Sequence, residues 1–77
     1  MNDRQREEWL SLARQRRKHL QELVDRSHAA EAELLILEKY DEAAALRRLL
    51  LEAMVALERV DLEIQSLSDG ASQAASE

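Results

Sequence analysis

The chain contains no cysteine, no proline and no phenylalanine, a single glycine (Gly70), and only two aromatic residues, Trp9 and Tyr40. Without cysteine there is no disulfide scaffold, no thiol catalysis and no cysteine-based metal site. β-Rich folds need Gly and Pro at their turns and β-branched or aromatic residues in their strands, so sandwiches, barrels and small mixed folds are excluded. One glycine cannot build a Gly-rich phosphate loop. No apolar run approaches the roughly 20 residues needed to span a bilayer. The N-terminal region lacks the continuous apolar segment of a secretory signal. The expectation is a soluble cytoplasmic protein with no membrane association, bacterial in the style of its sequence.

What is present is one small domain's worth of chain: 77 residues, 45% hydrophobic and 35% charged. The charges are 11 basic against 16 acidic, net −5. Such acidity argues against general nucleic-acid binding, which needs an excess of Lys and Arg. The distribution is uneven, because Arg4, Arg6, Arg14, Arg16, Arg17 and Lys18 all fall in the first quarter of the chain. The remainder is strongly acidic.

Two segments space their apolar residues alternately by three and four, the signature of helices packing as a coiled coil. The first stripe runs Trp9, Ala13, Arg16, Leu20, Leu23, Ser27, Ala30, Leu34, Leu37; the second runs Ala43, Leu46, Leu50, Ala53, Leu57, Val60, Ile64, Leu67. Continuing the first phase past Glu38 would put Asp41, Arg48 and Glu58 in the seam. The phase therefore breaks there, which predicts an all-α, antiparallel two-helix coiled-coil hairpin spanning 1–68. Helix one is expected over about 3–38, a turn over about 38–41, and helix two over about 41–68. Facing residues would have numbers summing to 80, such as Leu34 with Leu46 and Leu23 with Leu57. A single unbroken helix is the structural alternative, since no Pro or Gly forces the turn. Asp41 suits the N-cap of helix two, and Glu42 suits its positive end. The register sets Arg14–Lys18 beside Glu58, Asp61 and Glu63. Gly70 suits a helix stop, and the Ser/Ala-rich stretch 69–77 is expected to be a disordered tail.

The apolar surface exceeds one seam. Leu34 to Leu37 and Leu49 to Leu51 are consecutive runs that point around their helices, and a helix apolar on several faces expects several neighbours. Cores of this size rarely supply more than about 3–5 kcal/mol alone. The expectation is a homodimer packed as a four-helix bundle, or a hetero-complex with another helical protein. Leu35, Leu49, Leu51, Met54 and Val55 form the candidate contact strip, and Trp9, overhanging the open end, is a further candidate because Trp is enriched at binding hot spots.

No catalytic, cofactor or metal site is expected. His19 and His28 do not share a metal-ligand spacing and lack a third ligand. Ser11, Ser27 and Ser66 have no visible base partner. Asp41–Glu42 reads as helix-start chemistry. The run Arg14–His19 wraps around its helix and reads as solvated, salt-bridged surface. The chain is expected not to be an enzyme.

The corner Tyr40-Asp41-Glu42-Ala43-Ala44-Ala45-Leu46-Arg47 resembles the UVR motif: an aromatic, two acidic or polar residues, a pair of alanines, then an aliphatic-Arg pair. Tyr40, Ala43, Ala44, Leu46 and Arg47 match, while Arg48 stands where that family usually has Asp. The resemblance, from Leu37 to Arg48, covers about a sixth of the chain. It implies a helical hairpin that joins proteins together and can dimerise; small secretion chaperones have similar corners. The expected function is a non-catalytic helical-hairpin interaction module, a small adaptor, secretion-type chaperone or regulator, that binds a partner helix in an apolar groove. The alternative is a UVR-type coupling module or a nucleic-acid-associated regulator using the basic N-terminal segment.

Overall fold

The computed structural model describes residues 2–76, with side chains as far as Asp69. It is a helical hairpin: α1 (Asp3–Ile36) and α2 (Tyr40–Ser76) lie side by side, with no strand among the described residues. Asn2 caps α1. Its side chain accepts from the Gln5 amide at 2.8 Å while its own amide donates to the Gln5 side chain at 3.4 Å. This reciprocal pair satisfies two backbone donors that a helix start otherwise leaves free.

The corner is tighter and earlier than the expected 38–41. The Lys39 amide donates to the Leu34 carbonyl at 2.9 Å and the Glu38 amide to the Leu35 carbonyl at 3.1 Å. Glu38 has φ 60. Nested bonds of this kind around one left-handed residue make a Schellman stop, built without glycine. Lys39, not Asp41, precedes α2, and its carbonyl accepts the first intrahelical bond from Ala43 at 3.0 Å. Asp41 and Glu42 occupy the first turn instead, where their charge still opposes the helix dipole.

Helix two packs in the expected phase. Ala43, Leu50, Ala53 and Val60 are buried, and Leu46, Leu57, Ile64 and Leu67 are half-buried. Helix one is turned by about one residue. Ala13, Ser27, Leu20 and Leu34 line the seam as expected, but Val24 and Leu10 are covered where Leu23 and Trp9 were expected. Val24, Leu50 and Ala53 form the central cluster, with Leu57 against it. The facing numbers also contract: Arg17–Asp61 and Glu31–Arg47 each sum to 78, and Arg16–Glu63 to 79. A turn centred on Glu38 brings the helices together sooner than one spread over 38–41, which accounts for the contraction.

Helix two does not end near Ser68. Its backbone is helical through Gly70 to Ser76, where the sequence suggested a disordered tail over 69–77; Glu77 lies outside the described residues. One glycine inside a helix costs only about 1 kcal/mol, and the alanines that follow it are the best helix formers; no proline stops the chain. The hairpin extends 58 × 15 × 14 Å, with a radius of gyration of 17.2 Å. A compact chain of this length would have about 11–12 Å.

Candidate protein-interaction surface

The rotation of α1 decides which apolar residues remain outside. α1 carries apolar residues over three neighbouring heptad positions. The seam takes two of them, and the third, holding Trp9, Leu23 and Leu37, is left exposed. Leu12 lies on the same side, three residues from Trp9. On α2 the adjoining strip holds Leu49. Between them runs an open groove of about 430 Å³ lined by Leu23, Ser27, Leu46, Leu49, Glu52 and Ala53. Arg16 and Glu63, 3.6 Å apart, bridge the two helices toward the open end.

All six residues expected at a contact are exposed, but they do not form one strip. Trp9 is 47% and Leu49 60% exposed. Leu49 lines the groove. Leu51 and Val55 lie on a separate ledge on the back of α2, with Ala56 and Arg59, and Glu52 divides ledge from groove. Met54 and Leu35 line neither concavity. Leu51, Val55 and Leu49 differ by two to six positions, and at 100° per residue that spreads them over more than one face. The sum-of-80 pairing would set Trp9 opposite Ala71, which lies outside the described side chains. Leu23 and Leu12 are groove-side residues that the sequence pattern assigned to the seam or passed over. The missed signal is the width of the apolar band on α1.

At the corner, Tyr40, Asp41, Ala44 and Arg47 are exposed, Leu46 is half-buried and Ala43 is buried. Arg47 reaches across to Glu31 at 3.3 Å. Glu31 sits in the seam with its side chain 13% exposed, and its second oxygen, Oε2, is buried with no hydrogen-bond partner among the described residues. The basic run is partly engaged within the chain: Arg17 donates to Asp61 and Arg16 pairs with Glu63. Those pairs are exposed, and each contributes at most about 1 kcal/mol. Their larger effect is to fix the antiparallel register.

Among the described residues no group of three or more His, Asp or Glu is placed to hold a metal ion, and no helix is long and apolar enough to cross a membrane. Fold and surface together define an all-α helical hairpin with an uncovered apolar side. No family model matches the chain, and neither a curated protein nor a solved structure matches it.

Proposed function

We propose that this protein is a non-catalytic helical-hairpin interaction module that takes an amphipathic helix of another chain into the groove between α1 and α2. The observation that carries this is the groove itself: Leu23 and Leu49 form its lips, Leu46 and Ala53 its floor, and it runs along two parallel helical ridges. A helix laid there would anchor through residues spaced three and four apart. The small-adaptor, secretion-chaperone and regulator roles all need such a surface, and so does the coupling role that the UVR-like corner suggests. A nucleic-acid role is less well supported, because Arg16 and Arg17 already have carboxylate partners.

A photo-crosslinking residue placed at position 49 in the native host tests the reading. An interchain adduct mapping to an amphipathic helical segment is expected, with none from Lys18, an exposed position on the opposite side of α1. Failure to form any interchain adduct at position 49, or equal yields from both positions, overturns it.

A further inference from the structure

We propose that the helix occupying this groove side belongs to a second copy of the chain, packed face to face and antiparallel, so that α1 lies on the partner's α1 about a two-fold axis between Leu23 and Arg26. This rests on the helix-docking reading and names its occupant.

Three observations select a second copy in this orientation. The uncovered apolar residues on the groove side lie at both ends of α1: Trp9 and Leu12 near its start, Leu37 as its C-cap, and Leu23 between them. A two-fold axis at the middle brings Leu12 of one copy to the partner's Leu37, with Trp9 beside the partner's turn. A parallel arrangement would set Trp9 and Leu12 against the polar stretch of α2 that holds Gln65 and Ser66, and Leu37 against Glu42, so the apolar ends would stay unmatched.

Charge agrees. Along the same strip Arg16 precedes the centre and Glu33 follows it. The antiparallel contact sets Arg16 opposite the partner's Glu33 twice over. More broadly, residues 3–18 of α1 are mainly basic and residues 19–36 mainly acidic, so α1 is complementary to its own reverse.

Area agrees as well. The chain exposes 6135 Å², whereas a compact monomer of this mass exposes about 4,800 Å². The surplus of about 1,300 Å² belongs to the elongated shape, which leaves room for the roughly 800 Å² that each partner buries in a standard stable interface.

The test combines mass with distance. Light scattering on the full chain at about 100 µM should give twice the chain mass. Single spin labels at position 11 and at position 25, both exposed, should then give different interchain distances. At 1.5 Å per residue the antiparallel axis separates the two position-11 labels by roughly 40 Å and leaves the position-25 labels within about 25 Å. Short distances at both positions mean a parallel dimer and overturn the arrangement. A single-chain mass overturns the second copy; the docking reading then stands or falls on its own adduct at position 49. Leu23→Glu should weaken association at least tenfold, while Leu51→Glu, on the far ledge, should leave the mass doubled. A Leu51→Glu variant that dissociates while Leu23→Glu does not would place the contact on the wrong side and sink the proposal.

Discussion

Two leucines twelve residues apart on α2 give a sharp test of the seam. Leu50 is 3% exposed at the centre of the core cluster, and Leu62 is 59% exposed on the same helix. Truncating a buried leucine to alanine costs the lost transfer energy plus the cavity left behind, about 2–5 kcal/mol. The groups around Leu50 are Val24, Ala53 and Leu57, on two rigid helices, so collapse into the void is limited and a loss within that range is expected. For Leu62, full burial of the side chain would be worth about 1.5–3 kcal/mol. Less than half of its surface is covered, and alanine slightly improves helix propensity, so Leu62→Ala should cost about 1 kcal/mol or less. Urea unfolding followed by far-UV circular dichroism reads both, at one fixed chain concentration because association contributes to apparent stability. With a slope of about 1 kcal/mol per molar for so small a protein, Leu50→Ala should lower the midpoint by about 2 M or more, and Leu62→Ala by less than about 1 M. Since cores of this size supply only about 3–5 kcal/mol, Leu50→Ala should stand near the edge of folding. Equal losses in the two variants, or a larger one at Leu62, would refute the helix-two phase on which the groove depends.

Two further substitutions probe the corner and Glu31, a charged residue in the seam. Glu38→Gly removes a Cβ from a left-handed position, relieving about 1–2 kcal/mol of local strain against about 0.4–1 kcal/mol of added unfolded-state entropy. The thermal midpoint should rise by a few degrees, whereas Glu38→Val should lower it, and a fall with glycine would contradict the Schellman geometry. Glu31→Leu replaces a largely buried carboxylate, one oxygen of which has no partner among the described residues, and leaves Arg47 free in water. A gain of about 1–3 kcal/mol in urea unfolding is expected, and a loss would show that the Glu31–Arg47 pair stabilises the hairpin more than apolar contact in its place.

Much of this protein follows from its sequence alone. Lack of Pro, Cys and Phe with alternating three-and-four spacing leaves little but paired helices, and the phase slip after Leu37 locates the reversal to within two residues. The second stripe, from Ala43 to Leu67, packs as its spacing requires, with the further apolar residues of α2 left outside the seam. α1 differs. Its band spans three heptad positions, and spacing cannot say which two face α2. That choice depends on partners 26 to 44 residues away: Val24 meeting Leu50 and Ala53, and Arg17 reaching Asp61. Once made, it converts Trp9 and Leu23 from seam residues into exposed ones, sets Leu23 across from Leu49, and separates Leu51 and Val55 onto another face. The corner shows the same division. Propensity placed a cap at Asp41, but a left-handed Glu38 closes the turn earlier and moves the start of α2 to Tyr40. Local pattern determined which residues are apolar and that the chain folds back; the packing of one helix on the other decided which of them remain uncovered.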